Sequence, residues 1–131
     1  LRPRRQRQMC IRDRSCTAIL KNASENKINI IAKEIFSNGR LTNANKKFHQ
    51  NELIELVTIA KSVNLNLEEL SYLWVYQLPF IKICLTGAST ITQLDTNLKC
   101  IKKKEVEIPS LESFALSTED YWSTRKLLNW N

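Results

Sequence analysis

One segment in the second half of the chain combines small, hydroxyl and amide side chains at spacings that suit the binding of a phosphorylated ligand. Gly87 would let the backbone approach a ligand closely, and Ser89 adds a hydroxyl donor two residues later. Gln93 and Asn97 lie four residues apart, so on a helix they share one face and could reach an adenine or a ribose. The chemistry indicated is recognition of a nucleotide phosphate and its neighbouring groups.

The elements around this segment would place it where ligands bind. Residues 80–85 are predicted to form a short strand, and Thr90 with Gln93 forms a capping box that begins a helix. In parallel α/β proteins, ligands bind beyond the carboxyl ends of the strands, and the N–H groups at a helix start attract phosphate. Spacing alone also allows a plain, well-capped strand-to-helix connection.

The rest of the chain predicts the same fold class. Residues 27–33 are rich in β-branched side chains and form a second predicted strand, followed by a turn in which Gly39 takes a positive φ. Helices are predicted near residues 16–25, 51–63, 67–78 and 90–101. This alternation indicates an α/β protein with a parallel sheet. Two strands cannot cover a sheet by themselves, so a partner segment is expected.

The middle helices have clear apolar faces. In the first, the face consists of Leu53, Leu56, Val57 and Ala60. The second begins at a variant capping box of Asn66 and Glu69 and ends before Pro79. Its apolar face is predicted to consist of Leu67, Leu70, Trp74 and Leu78. Tyr72 and Trp74 are interpreted as packing residues, and residues 102–104 as a solvated helix end.

The basic character of the chain is concentrated at its start. Of the net charge of +7, residues 1–14 supply +5 through six arginines and one aspartate. A basic arm of this kind could bind nucleic acid, and such binding would weaken with salt and vanish on removal of residues 1–14. A signal peptide is excluded because no apolar run of the required length follows.

A second interpretation of this basic segment is favoured. Residues 4–14, RRQRQMCIRDR, match the translation of a transposase sequencing adapter without interruption. We therefore interpret residues 1–14 as an adapter-derived artefact and residues 15–131 as native, in a reading frame cut at its start.

The cysteines and the histidine do not indicate a metal site. With Cys10 set aside, Cys16, Cys84 and Cys100 are scattered and have no CxxC spacing, and His49 lies in a polar loop. Free thiols are typical of a reducing cytoplasm, which is the expected location. The chain has no apolar stretch long enough to span a membrane.

Three ordered blocks of this sequence resemble the aldo/keto reductase family. Residues 30–42, IIAKEIFSNGRLT, resemble its seventh strand and the following loop. Residues 67–79, LEELSYLWVYQLP, resemble its Trp- and Pro-containing helix, and residues 85–97, LTGASTITQLDTN, resemble its eighth strand and helix start. The resemblance implies the carboxy-terminal part of a (β/α)8 TIM barrel, incomplete here.

The same resemblance implies a function. The parent protein would be an NAD(P)H-dependent oxidoreductase that reduces a small aldehyde or ketone, with NADP or NAD as cofactor. The eighth-strand loop and helix would hold the adenosine end, and the seventh-strand loop the nicotinamide ribose and pyrophosphate. Carried over by position, the cofactor-binding residues are Lys33, Glu34, Phe36, Asn38, Gly87, Ala88, Ser89, Gln93, Thr96 and Asn97.

Some positions depart from the family pattern. Lys33 stands where many members place an aromatic residue, and Glu34 where serine is common, so Glu34 is expected to point away and pair with Lys33 or Arg40. Gly87 and Gln93 stand where other members clamp the 2′-phosphate with Lys and Arg, which weakens the expectation of NADPH over NADH.

The family's catalytic Asp, Tyr, Lys and His match nothing in this chain, so no catalytic residue is assigned and the chain alone is expected to be inactive. No nucleic-acid or membrane partner is expected. The alternatives are a non-enzymatic relative of the family and the basic nucleic-acid-binding module described above.

Overall fold

The computed structural model describes residues 6–8, 17–43 and 51–127. The elements in chain order are β1 (Gln6–Gln8), α1 (Thr17–Glu25), β2 (Ile30–Lys33), α2 (Asn51–Ser62), α3 (Leu67–Tyr76), β3 (Ile81–Cys84), α4 (Ile91–Ile101), a 3-10 turn (Glu112–Phe114) and α5 (Thr118–Lys126). The predicted helices and both predicted strands are therefore present, with bounds that differ by a few residues at the ends.

The strands form one parallel sheet in the order β1-β2-β3, which confirms the predicted α/β class. β1 was not predicted, because its Gln-Arg-Gln sequence has no β-branched or aromatic residue. Parallel pairing with β2 uses backbone N–H and C=O groups and does not depend on those side chains. The adapter origin of residues 1–14 stays a prediction.

The core lies between the sheet and its helices. Ile30 and Ala32 alternate with less buried neighbours along β2, which is the pattern of a strand with one face in the core. From α2, Leu53, Leu56 and Ala60 are buried, and Val57 packs against the same cluster, as the helical spacing predicted.

The capping box at the start of α3 is confirmed. The Asn66 side-chain oxygen accepts from the Glu69 N–H at 2.9 Å, and the Asn66 N–H donates to the Glu69 carboxylate at 2.9 Å. The predicted apolar face is only partly correct. Leu67 and Leu70 are buried, but Trp74 and Leu78 are partly exposed. Burial extends instead to Ser71, Tyr72, Leu73 and Val75. The reason is that α3 contacts α2, β3 and α4, so it is covered on more than one side.

β3 and α4 each carry exposed apolar side chains. Ile83 on β3 is 51% exposed, and Leu94 and Leu98 on α4 are 50% and 54% exposed. β3 is an edge of the sheet among the described strands, so one row of its backbone groups lacks a neighbouring strand. In the described ranges, none of the helices has the length and apolar character needed to cross a lipid bilayer.

Candidate functional site

A cleft of about 470 Å³ opens at the carboxyl ends of β2 and β3. One wall is the loop after β2, and the other is the junction between β3 and α4. Its lining consists of Lys33, Glu34, Ile35, Phe36, Asn38, Gly39, Thr42, Leu85, Thr86, Gly87, Ala88, Gln93 and Asn97. This is the end of a parallel sheet at which ligands bind in α/β proteins.

The loop after β2 has an unusual backbone. Glu34, Ser37 and Asn38 have φ values of 55°, 51° and 56°, and Gly39 has a φ of 79°. The Ser37 N–H donates to the Glu34 carbonyl at 2.8 Å, which closes a tight turn. The sequence predicted the positive φ of Gly39 only. Left-handed conformations at residues other than glycine are costly and concentrate at functional sites.

The carboxy-terminal helix supports this loop from behind. The Arg40 guanidinium lies 5.7 Å from the ring centre of Tyr121, whose side chain is fully buried. The Arg40 Nε–H donates to the Ser37 carbonyl at 3.0 Å. Arg40 therefore links the two, because its side chain bonds the loop backbone and makes a cation–π contact with α5.

The opposite wall is fixed by hydrogen bonds at the end of β3. The Leu85 N–H donates to the Ala32 carbonyl at 2.8 Å, which extends the strand pairing to the start of the junction. Gly87 follows with a φ of 66°, a conformation that favours glycine. The predicted capping box of α4 is confirmed. The Gln93 N–H donates to the Thr90 hydroxyl oxygen at 3.2 Å, and the Thr90 N–H donates to the Gln93 side-chain oxygen at the same distance.

The Gln93 side chain is folded back over the start of α4. In addition to the Thr90 N–H, the Ser89 N–H and the Ser89 hydroxyl donate to the Gln93 side-chain oxygen, at 2.8 and 3.1 Å. Three donors therefore converge on one acceptor. The Ser89 hydroxyl and the Gln93 side-chain oxygen, which the sequence offered to a ligand, are therefore used within the protein.

Three buried polar atoms in and beside the cleft have no hydrogen-bond partner: the Ser37 hydroxyl oxygen, Asn38 Nδ2 and Asn97 Oδ1. Asn38 and Asn97 line the cleft, and Asn97 is only 5% exposed. Burying a polar group without a partner is unfavourable, and buried polar groups in native proteins nearly always have one. An acceptor on a ligand would satisfy Asn38, and a donor would satisfy Asn97.

Eight of the ten sequence-proposed binding residues line this cleft, and Ser89 and Thr96 do not. The Thr96 hydroxyl donates to the Thr92 carbonyl at 2.9 Å, within α4. Sequence reasoning did not select the lining residues Ile35, Gly39, Thr42, Leu85 and Thr86. Each of them lies within residues 30–42 or 85–97, the two blocks that contain the selected residues, so their positions in the sequence could have indicated that they line the same cleft.

Lys33 and Glu34, adjacent at the end of β2, are the charged side chains in the lining. The expected pairing of Glu34 with Lys33 or Arg40 stays a prediction. In the part of the chain that the structure describes, no group of three His, Cys, Asp or Glu side chains could hold a metal ion. His49, assigned to a polar loop, lies outside the described residues.

The sequence model of the Aldo/keto reductase family matches residues 5–115, most of the chain. The chain belongs to the aldo/keto reductase family. The match begins within residues 1–14, for which an adapter origin is predicted, and it includes both walls of the cleft. A search of curated proteins found no match.

Solved structures show the same fold. The apo and holo forms of an aldo-keto reductase from Bacillus halodurans each superpose with a TM-score of 0.64 at 18% sequence identity. Each comparison covers 95% of this chain and 42% of the other chain. The α/β fold is thus similar to part of the barrel of that protein, and this chain spans less than half of its length.

Proposed function

We propose that this chain is the carboxy-terminal part of an NAD(P)H-dependent oxidoreductase that reduces aldehydes or ketones, and that it supplies cofactor-binding surface. The observation that carries the proposal is the cleft at the carboxyl ends of β2 and β3, in a chain of this family, with the unpartnered polar atoms of Asn38 and Asn97 in its lining. A nicotinamide dinucleotide carries acceptors and donors that fit both groups.

The two walls would bind different parts of the cofactor. On the β2 side, Lys33 and the amide N–H₂ of Asn38 suit the anionic pyrophosphate, and the nearly buried ring of Phe36 gives an apolar surface. On the α4 side, the Asn97 oxygen suits a hydroxyl or amino group at the adenosine end. The cofactor, when bound, supplies a hydride to the carbonyl carbon of the substrate.

The catalytic groups would come from the rest of the parent barrel. A complete (β/α)8 barrel has about 250 residues. The family's catalytic Asp, Tyr, Lys and His match no position in this chain, and Lys33, which lines the cleft, is proposed as a binding residue. We propose that residues 15–131 are the native part and that the missing half carries the chemistry, with the cytoplasm as its location.

Calorimetric titration of the purified 131-residue chain with NADH and NADPH tests the binding role. We expect saturable binding of at least one of them. Asn97→Leu removes the buried acceptor at similar volume and should weaken binding about tenfold, since one good hydrogen bond to a buried group contributes about 1–1.5 kcal/mol. Asn22→Leu, on the exposed side of α1 and outside the cleft, is the matched control. Absence of binding to both nucleotides would contradict the proposal.

Recovery of the gene's upstream sequence from the source DNA tests the parent activity. We expect the native frame to replace residues 1–14 by a barrel half that carries the four catalytic residues. A barrel half without the catalytic Tyr and Lys would instead indicate a non-enzymatic relative. Native DNA that encodes the arginines after a start codon would contradict the adapter interpretation.

A further inference from the structure

The last described helix lies outside the part of the chain that matches the family model. The match ends at residue 115, whereas α5 covers Thr118–Lys126. We propose that α5 positions the loop after β2 for nucleotide binding, through Tyr121 and Arg40, although neither residue is among those that line the cleft. This inference rests on the proposed function, in which that loop binds the pyrophosphate of the cofactor.

The loop after β2 has a backbone that needs support from outside the loop. Ser37 and Asn38 have φ values of 51° and 56°, and left-handed conformations at such residues persist only where the surrounding structure determines them. The Ser37 hydroxyl oxygen and Asn38 Nδ2 are also buried without hydrogen-bond partners. Strain and unpartnered polar atoms are typical of binding sites rather than of segments that only pack. Phe36, Asn38 and Gly39 line the cleft, so a change of this backbone would change the β2 wall.

Arg40 supplies part of that support. Its backbone N–H and its side-chain Nε–H both donate to the Ser37 carbonyl, at 3.3 and 3.0 Å. Because a peptide unit is planar, fixing this carbonyl also fixes the Asn38 N–H, which points in the opposite direction. The Arg40 side chain is therefore a positioning group, since it sets the orientation of a backbone unit in the wall without lining the cleft itself.

Tyr121 holds the Arg40 side chain in turn. The guanidinium carbon of Arg40 lies 5.7 Å from the centre of the Tyr121 ring, a distance at which a cation and an aromatic face attract each other. Tyr121 is fully buried, and its N–H donates to the Ser117 carbonyl at 2.9 Å. The Ser117 hydroxyl oxygen accepts from the Asp120 N–H at 3.0 Å, which caps the start of α5. The ring therefore has a fixed position, and it fixes the direction of the Arg40 Nε–H.

Substitution of Arg40 by lysine separates positioning from charge. Arg40→Lys keeps the positive charge but has a methylene group in place of the Nε–H, so the side-chain bond to the Ser37 carbonyl is lost. The 131-residue chain is titrated with NADH and NADPH at low and high salt. We expect Arg40→Lys and Arg40→Met each to weaken the tighter of the two interactions about tenfold, a difference of about 1.4 kcal/mol. The loss in Arg40→Lys should persist at high salt, because it does not arise from charge. Lys21→Met, exposed on α1 and outside the lining, removes a charge elsewhere and should change affinity by less than about twofold.

The contribution of α5 is tested at Tyr121. Tyr121→Phe keeps the aromatic face and should bind within about twofold of the unsubstituted chain. Tyr121→Leu removes the face and should weaken binding about tenfold. Arg40→Lys combined with Tyr121→Leu should lose no more than either substitution alone, because the two side chains act as one unit. Circular dichroism verifies the folding of each variant, and Arg40, which is only partly buried, gives a result even if Tyr121→Leu does not fold.

The outcomes separate the two proposals. Failure of the unsubstituted chain to bind either nucleotide overturns both. Binding that Arg40→Lys leaves unchanged overturns this inference and leaves the proposed function standing. A loss in Arg40→Met alone has the same meaning, because charge and not position would be its cause. Unchanged binding by a folded Tyr121→Leu overturns the role of α5.

Discussion

Tyr72 on α3 lies near two cysteines, Cys84 on β3 and Cys100 on α4, and α3 packs on both of those elements. Burial raises the pKa of Cys84 and of Cys100 to about 11. Burial, together with the nearby Cys84, Cys100 and Tyr76, raises the pKa of Tyr72 to about 12, because negative charge on these neighbours would repel a phenolate. All three groups therefore stay neutral in the folded chain at physiological pH, which agrees with a packing role and gives the thiols little reactivity.

These shifts predict a loss of stability at alkaline pH. The folded-state pKa values exceed the unfolded values, so the neutral groups contribute their full stabilisation below about pH 9, the ordinary thiol value. As pH rises, the unfolded chain loses its protons first, and the free energy of unfolding falls until the folded-state values of about 11 and 12 are passed. Each group contributes up to about 1.4 kcal/mol per pH unit.

Urea denaturation between pH 8 and pH 11 measures this effect. Tyr72→Phe removes one titrating group while it keeps the ring, so its loss of stability above pH 10 should be shallower than that of the unsubstituted chain. Tyr76→Phe, on the same helix with a more exposed ring, is the matched control. A Tyr72→Phe profile parallel to that of the unsubstituted chain would contradict the assignment.

Single residues also show where sequence reasoning reaches its limit. The positive φ of Gly39 was predictable because glycine is the residue that most readily adopts this conformation, and Gly87, selected for close backbone approach, has a positive φ as well. Ser37 and Asn38 adopt the same conformation through support from Arg40 and the packing of α5, which no local pattern reveals. The burial of Asn97 likewise depends on tertiary packing. Its position in the sequence indicated which helix face it lies on, but not how deeply it is buried.

At the scale of elements, the predictions succeeded where the signal was local. Both capping boxes bond as the spacing of their side chains indicated. β1 was missed because its strand character comes from pairing with β2 and not from its own residues. The extent of burial on α3 was underestimated because three neighbouring elements cover it. Helical periodicity indicates one apolar face and does not show how many elements pack against a helix.

Glu69 contacts two helices, so we expect its substitution by glutamine and by alanine to lower the stability of the chain by different amounts. One carboxylate oxygen accepts from the Asn66 N–H at 2.9 Å, and the other contacts the Lys103 ammonium at 2.6 Å. Lys103 therefore differs from the solvated helix end expected for residues 102–104. Glu69→Gln keeps the capping geometry and loses the ion pair, whereas Glu69→Ala loses both.

We expect Glu69→Ala to lower the free energy of unfolding by about 1–2 kcal/mol. Glu69→Gln and Lys103→Met should each cost less than about 1 kcal/mol, because Lys103 is 41% exposed and solvent screens the pair. Glu105→Gln, in an exposed pair with Lys104, is the control and should cost almost nothing. Chemical denaturation measures all four, and an equal cost for Glu69→Gln and Glu69→Ala would show that the cap contributes nothing.

At the scale of the whole molecule, the exposed apolar side chains of β3 and α4 predict self-association of the isolated chain. Leu94 and Leu98 are a helical turn apart on α4 and half exposed, and Ile83 is half exposed on β3, an edge strand among the described strands. Exposed apolar side chains and unpaired strand edges both favour contacts between copies. Sedimentation across a range of concentrations should show association that decreases in Leu94→Glu/Leu98→Glu. Ile54→Glu, at an exposed position on α2, should leave it unchanged.

We also expect the chain to bind the nucleotide without catalysing reduction of a carbonyl substrate. Its two cleft walls both lie within residues 17–127, and each is held by its own hydrogen bonds, so we expect nucleotide binding without the rest of the proposed parent barrel. Proton donation to a carbonyl oxygen does require a positioned acid, and general acid catalysis contributes about 10²–10⁴-fold to a rate. We therefore expect the purified chain to bind NADH and to show no loss of NADH absorbance with an aromatic aldehyde. The complete gene product, assayed under the same conditions, should consume NADH. Turnover by the 131-residue chain itself would mean that a group within it supplies the acid, and the division of labour proposed here would be wrong.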